Sequence, residues 1–178
     1  MSSIKVLKSL TLGKGLVLNI LEDESAPQDS VDRYFSELTS TGEELFKVQP
    51  HWHKDHAEYI TVVEGRLKVT LNGKEVIVKL GDPSVLVARR VVHSLETFKG
   101  ERAVIQERPS PGGICKALFF NDLLSKGATP GFWHSMRAFY DGDGYVVLPL
   151  YFRFFDEVFV KVFGGIAHLF TAPKSQKL

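Results

Sequence analysis

The sequence predicts an all-β fold followed by a helical tail, because the apolar residues change their spacing once along the chain. From residue 4 to about residue 108, short apolar and β-branched runs recur about every ten residues, as in sandwiches and barrels. Beyond residues 108–113, RPSPGG, the apolar positions take a helical spacing. We therefore expect a barrel in residues 1–110 and a helical tail in residues 111–178, packed on the barrel or on a second copy.

The strands are predicted from alternation and from turn residues. Residues 4–24 read as two strands joined at Gly13 and Gly15, and residues 32–50 as one or two more. Residues 58–80 alternate on both sides of Asn72-Gly73, the strongest short hairpin pattern. Leu67, Val69 and Leu71 on one arm, and Val76, Val78 and Leu80 on the other, are predicted to face a core.

The tail contains two or three helical segments. KALFFNDLLSKG predicts a short helix ending at Gly127, and the segment after Pro130 predicts a helix or an ordered loop. In the last segment an apolar stripe of helical spacing runs through 151, 155, 158, 159, 162, 166, 169 and 170, and Gly164-Gly165 is expected to bend or fray it. Charged residues interrupt the stripe, so we expect packing and no membrane span.

Composition narrows the class of protein and partner. Lys plus Arg is 22 and Asp plus Glu is 21, with no block of like charge, which excludes an electrostatic nucleic-acid surface and favours a small-molecule partner. Cys115 is the one cysteine, so neither an internal disulfide nor a multi-cysteine metal site forms. No signal segment is recognised at the N-terminus, and we predict a cytoplasmic protein.

Histidines concentrate in one stretch, PHWHKDHAEY at residues 50–59. His51 and His53 are two apart, so both leave the same face of a strand, and Glu58 begins the next strand among inward-facing apolar residues. His93 begins a later strand with Leu95 on its face. Three imidazoles and one carboxylate suit Fe(II), Mn, Ni, Cu or Zn and leave coordination positions open. His56 could substitute as a ligand, but it lies in the turn between the strands, where we expect it either to be solvated or to contact a ligand residue.

The spacing His51-x-His53-x4-Glu58-x6-Gly65, followed by Gly81 and His93, resembles the two signature motifs of the cupin superfamily. The resemblance covers roughly residues 42–108. It implies a double-stranded jelly-roll barrel with a metal ion held inside by the residues at the motif positions, His51, His53, Glu58 and His93.

The second motif departs from the family pattern. It is one residue longer, and Arg90 stands where the motif has its turn glycine. A bulge near Pro83-Ser84 that absorbs the extra residue would leave His93 pointing inward. Arg90 also lies near the expected barrel mouth, where a guanidinium can clamp a substrate carboxylate.

The predicted function is that of a metal-dependent enzyme acting on a small oxygenated molecule. Dioxygenase or other oxidative chemistry with Fe(II) is favoured; isomerase, cyclase or decarboxylase chemistry in the same barrel is the alternative. A non-catalytic ligand-binding module and a metal-free catalytic barrel also stay open, because the fold does not choose among them. The apolar tail and the pairing habit of single-barrel cupins predict a homodimer.

Overall fold

The computed structural model describes residues 3–124, 127, 129–150, 152–174 and 177–178. The strands in chain order are β1 Ile4–Gly13, β2 Leu16–Asp23, β3 Tyr34–Ser40, β4 Lys47–Trp52, β5 Ala57–Glu64, β6 Arg66–Leu71, β7 Lys74–Lys79, β8 Val85–Val87, β9 His93–Glu96, β10 Ala103–Ser110 and β11 Tyr145–Val146. The helices are α1 Cys115–Leu123, α2 Phe132–Asp141 and α3 Arg153–Ala167.

The strands form two antiparallel sheets, ordered β1-β2-β3-β10-β5-β8 and β11-β4-β9-β6-β7. Alternate residues of each strand point into the space between the sheets, where the main apolar core lies. Its fully buried members come from both sheets and include Ile20, Leu38, Ile60, Leu67, Val69 and Ile105. The predicted all-β jelly-roll barrel with a helical C-terminal part is confirmed.

The hairpin at Asn72-Gly73 forms as predicted between β6 and β7. Asn72 and Gly73 have φ of 46° and 83°, the left-handed pair that a tight hairpin turn requires. The prediction that the apolar residues of the second arm face the core is only partly correct. Val78 is buried, but Val76 is 47% and Leu80 is 64% exposed, because β7 is the edge strand and extends past the core.

The tail is helical, but α3 does not bend or fray at its glycine pair. The helix continues through both glycines to Ala167, because Gly164 is buried against α2 and a Cβ there would overlap the side chain of Tyr140. Tyr151, the first residue of the predicted stripe, lies outside the described residues. Among the residues that are described, no helix combines the length and apolar composition needed to cross a membrane.

The tail packs on the barrel through a strand and a buried tryptophan. β11 adds to the edge of the second sheet by pairing with β4. Trp52 stacks on Tyr145 with ring centroids 4.4 Å apart, and its Nε1 donates a hydrogen bond to Asp156 Oδ2 at 3.0 Å. Because a tail strand extends a barrel sheet, the division of the chain at residue 110 stays a prediction.

The outer face of α3 leaves a row of apolar side chains exposed at helical spacing: Phe154, Phe155, Val158, Val162 and Ile166. Exposed apolar surface of this kind is a common feature of contacts between subunits. It favours the homodimer, which stays a prediction.

Gly65, which closes the first motif, is expected to tolerate no side chain. Its φ is 73°, and a Cβ would overlap the carbonyl oxygen of Arg102. Gly65→Ala should therefore lower the free energy of unfolding by about 3 kcal/mol, combining left-handed strain with steric overlap. Chemical denaturation measures this loss of stability.

Gly73→Ala is the control, because Gly73 has φ of 83° and open space around it. This substitution should lower the free energy of unfolding by only about 1 kcal/mol. Equal losses for the two variants would contradict the steric argument.

Candidate metal centre

The four residues predicted from the motif spacing come together between the sheets. His51 and His93 lie opposite each other on β4 and β9, with ring centroids 4.1 Å apart. His53 follows the end of β4, and Glu58 projects from β5 in the facing sheet. One ligand atom from each residue lies within 4.8 Å of the others. His93 is 1% exposed and points inward, so the lengthened second motif does not displace it.

Backbone carbonyls fix the orientation of the three imidazoles. Each ring places Nδ1 beside one carbonyl oxygen: His51 at 2.9 Å from Gln49, His53 at 2.8 Å from Asp143 and His93 at 3.1 Å from Val91. A carbonyl oxygen only accepts, so Nδ1 carries the proton and Nε2 presents a lone pair. This is how metal-binding histidines are commonly oriented.

The arrangement around Glu58 fits a cation. His53 Nε2 lies 3.1 Å from Glu58 Oε1, and His93 Nε2 lies 3.1 Å from Glu58 Oε2. Both Nε2 atoms are buried and have no hydrogen-bond partner among the described residues. Unprotonated nitrogens repel a carboxylate at this distance, and a divalent ion bound by all of them removes that repulsion. The donor set present therefore fits a metal ion.

Burial favours the neutral form of His51 and His53, which is the form that binds metals. It lowers the pKa of His51 well below its usual value and that of His53 to about 4. Burial alone would raise the pKa of the Glu58 carboxyl, but the positive charge of Lys116 outweighs it and holds that pKa well below its usual range. Near neutral pH, His51 and His53 therefore each offer a lone pair, and Glu58 offers a negative charge.

Two charged residues beside Glu58 were not predicted. Lys116, in the first turn of α1, donates a hydrogen bond to Glu58 Oε1, and its Nζ forms an ion pair with Glu107 Oε1 at 3.2 Å. Glu107 lies on β10, next to β5, and faces the same interior. Burial and the nearby negative charge of Glu58 raise the pKa of Glu107 to about 7. For Lys116, burial would lower the pKa, but the two carboxylates outweigh it and raise it.

The two residues differ in how far the sequence could have revealed them. Glu107 is two residues from Ile105, which is buried, so strand alternation places it on the inner face. Lys116 has no comparable pattern, since it opens a helix of the tail. Only the packing of α1 across the barrel brings it to Glu58.

His56 is partly buried beside the four candidate ligands. It stacks on His53 with ring centroids 4.0 Å apart, and its Nδ1 lies 2.8 Å from Asp143 Oδ2. Burial would lower the pKa of His56, but its bond to Asp143 and the negative charge of Glu58 raise it. His53, His56 and Asp143 form a second group that could hold an ion, sharing His53 with the first.

Asp143, in the loop after α2, ties the tail to the histidine loop. Its carboxylate accepts hydrogen bonds from the backbone N–H of Lys54 at 3.1 Å and of Asp55 at 2.7 Å. Its carbonyl accepts the bond from His53. Asp143 has φ of 57°, a conformation that aspartate tolerates better than most residues. One tail residue thus orients both a candidate ligand and the loop that follows it.

Arg90 has a backbone role that the sequence did not indicate. It adopts φ of 63° at the position of the motif glycine, and its N–H donates to the carbonyl of His53 at 2.6 Å. Its side chain is exposed and does not line the cavity described below. The position of Arg90 therefore does not support the substrate clamp that the sequence suggested as one possibility.

The candidate metal centre opens onto a cavity of about 510 Å³, within the usual range for small-molecule sites. Leucines and phenylalanines from both sheets and from α1 form most of its wall, and His51, His53, Glu107 and Lys116 are among its polar lining.

Residues 42–105 match the family model of the cupin domain. This part of the chain is a cupin domain. The match includes all four candidate ligands, and the observed jelly roll agrees with it. No match to the chain was found among curated proteins.

Several solved structures resemble the cupin domain and its surroundings at low sequence identity. KdgF from Halomonas sp. is 19% identical, with 58% of this chain and 86% of that chain covered and a TM-score of 0.46. An RmlC-like cupin from Shewanella frigidimarina is 18% identical, with 59% and 84% covered and a TM-score of 0.44. A sugar phosphate isomerase of the cupin superfamily from Silicibacter pomeroyi is 15% identical, with 54% and 59% covered and a TM-score of 0.44. At these identities the substrates of such proteins say nothing about the substrate of this chain.

Proposed function

We propose that this protein is a metal-dependent enzyme acting on a small oxygen-bearing organic molecule. His51, His53, Glu58 and His93 hold a divalent ion at the wall of the apolar cavity. The observation that carries the proposal is the pair of buried, unprotonated Nε2 atoms 3.1 Å from the oxygens of Glu58, an arrangement that a cation stabilises. Fe(II) is the favoured ion, with Mn, Ni, Cu and Zn compatible with the same donors.

When bound, the ion supplies a positive charge that stabilises an oxyanion forming on the substrate. The rest of the chemistry belongs to the chain. Apolar side chains exclude water, which strengthens every electrostatic interaction in the cavity. Lys116 holds Glu58 through Oε1 and fixes the direction of the carboxylate. Glu107 is a second carboxylate in the cavity lining, where it can take a proton from a substrate and return it.

The presence of Glu107 favours proton-transfer chemistry, such as isomerisation or cyclisation, as the reaction class. Stabilising an enolate and moving a proton require a positive centre and a nearby base, and the site has candidates for both. Oxidative chemistry of the dioxygenase type is the second candidate. The histidine-rich donor set and the apolar wall favour it, because both suit Fe(II) with open positions.

The reaction class can be tested with deuterium and oxygen. Protein loaded with Fe(II), Mn(II) or Ni(II) is incubated with 2-oxo acids and 1,3-diketones in deuterated buffer. Deuterium uptake is followed by NMR and oxygen uptake with an electrode. We expect deuterium incorporation without oxygen consumption, and loss of at least about 90% of the exchange rate in Glu107→Gln with metal content unchanged.

Three outcomes would change the assignment. Oxygen consumption that depends on the substrate would replace proton transfer with the oxidative reaction. If the protein binds metal but takes up neither deuterium nor oxygen, it would be assigned as a ligand-binding module. Exchange that survives removal of all metal would point to the metal-free catalytic barrel.

A further inference from the structure

We infer that the ligand of this centre is a small organic anion, with its acidic oxygen next to Lys116 and its apolar body in the cavity. The inference rests on the proposed function and adds the class of substrate. It depends on three features of the described residues: the charges around Glu58, the lysine donors that remain available, and the distribution of polar groups along the cavity wall.

The charges around Glu58 add up to a positive centre once a divalent ion is bound. Two positive charges from the ion and one from Lys116 exceed the two negative charges of Glu58 and Glu107. Protonation of Glu107 makes the excess larger, so the sign does not depend on its state. A net charge in an apolar enclosure is costly unless it is compensated. A monoanionic or dianionic ligand supplies that compensation.

Other charged groups nearby do not supply it. Glu44 and Lys47 line the cavity but are exposed and of opposite sign. His56 and Asp143 bond to each other and are not part of the cavity lining. The excess positive charge therefore belongs to the interior of the barrel, where a ligand would lie.

Lys116 is positioned to contact a ligand as well as Glu58. Its ammonium carries three N–H donors; one is donated to Glu58, and Glu107 Oε1 lies 3.2 Å from Nζ, which leaves at least one donor for a ligand. Its Nζ lies 5.3 Å and 5.1 Å from the ring centroids of Phe119 and Phe120, which also line the cavity. These rings hold the lysine chain in place and form an apolar surface beside the charge.

The cavity wall has both polar and apolar side chains. Glu107, Lys116, His51 and His53 belong to the polar part, while Leu38, Leu95 and Ile105 are among the aliphatic side chains of the apolar part. A fully polar ligand such as an uncharged sugar would leave hydroxyl groups facing these aliphatic chains without partners. An acid with an aliphatic or aromatic body matches both parts.

The test compares acids with their alcohols. Isothermal titration measures binding of 3-phenylpropanoate and hexanoate, and of 3-phenylpropan-1-ol and hexan-1-ol, to the Zn(II)-loaded full chain. Elemental analysis records the metal content of every sample. We expect each acid to bind about tenfold to hundredfold more tightly than its alcohol, as for a ligand gaining a charge-assisted hydrogen bond. In Lys116→Met and in Lys116→Gln, the ratio of acid affinity to alcohol affinity should fall by about tenfold.

Two variants are used because removing a buried cation can disturb folding, and Lys116→Gln keeps a hydrogen-bond donor for Glu58. Equal binding of acid and alcohol to metal-loaded protein would overturn the inference and leave the proposed function intact. An acid preference that persists in both lysine variants would overturn the role of Lys116. Absence of bound metal in the wild-type protein would overturn the proposed function, and the inference with it. If none of the four probes binds at millimolar concentration, the inference that the cavity holds the apolar body of the ligand is overturned.

Discussion

Replacing His93 by alanine is expected to abolish metal retention while the barrel stays folded. His93 contributes one of the two buried Nε2 atoms that lie 3.1 Å from Glu58 oxygens, and alanine would leave the ion with one ligand fewer. Elemental analysis after desalting should find about one metal ion per chain in the wild type and below about 0.1 in the variant. Circular dichroism checks that the fold is retained.

Two further histidine variants decide which cluster holds the ion. His53 belongs to both candidate groups, whereas His56 belongs only to the group with Asp143. His56→Ala should therefore retain its metal if the ion is bound by the Glu58 group. His168→Ala, in the exposed tail, controls for the loss of a histidine as such. If His56→Ala loses the ion and His93→Ala keeps it, the assignment of the ligands is wrong.

Asp143→Asn is expected to weaken metal affinity by about tenfold or more, although Asp143 is not among the four proposed ligands. Asparagine accepts fewer hydrogen bonds, so it cannot hold Lys54, Asp55 and His56 together as the carboxylate does. The histidine loop then loses its support, and His53 is less well oriented. Asparagine also tolerates the left-handed backbone at this position, so the substitution adds little strain.

Competition against a chromogenic chelator measures the affinity, and a second aspartate provides the control. Asp55 lies in the same loop and is exposed, so Asp55→Asn removes the same charge from near the site without removing the loop's anchor. We expect Asp55→Asn to bind metal as the wild type does. Equal weakening in both variants would mean that Asp143 acts through its charge alone. Wild-type affinity in Asp143→Asn would show that the tail does not support the site.

These predictions place part of the site in the tail. Lys116 comes from α1, Asp143 from the loop after α2, and Asp156 of α3 bonds to Trp52, which lies between two proposed ligands in the sequence. The barrel supplies the four proposed ligands. The tail supplies residues that form hydrogen bonds with two of these ligands and place a positive charge in the cavity. The helical tail thus contacts the candidate metal centre as well as packing on the barrel.

The sequence by itself determined the barrel, the tail and the four candidate ligands. Alternation placed His51 and His53 on one strand face, and the spacing to Glu58 and His93 resembled the signature motifs of the cupin superfamily. The sequence did not determine that α3 continues through Gly164, which allows close contact with α2. It also did not determine that Arg90 contributes through its backbone conformation.

Only the tertiary structure decided that Lys116, Glu107 and Asp143 complete the site. Glu107 carried a weak indication from its strand position, but Lys116 is 58 residues and Asp143 90 residues from the ligands they touch. Contacts over such separations follow from how α1 and the loop after α2 pack against the barrel. Local spacing carries no information about that packing, because it is set by side-chain complementarity between distant elements.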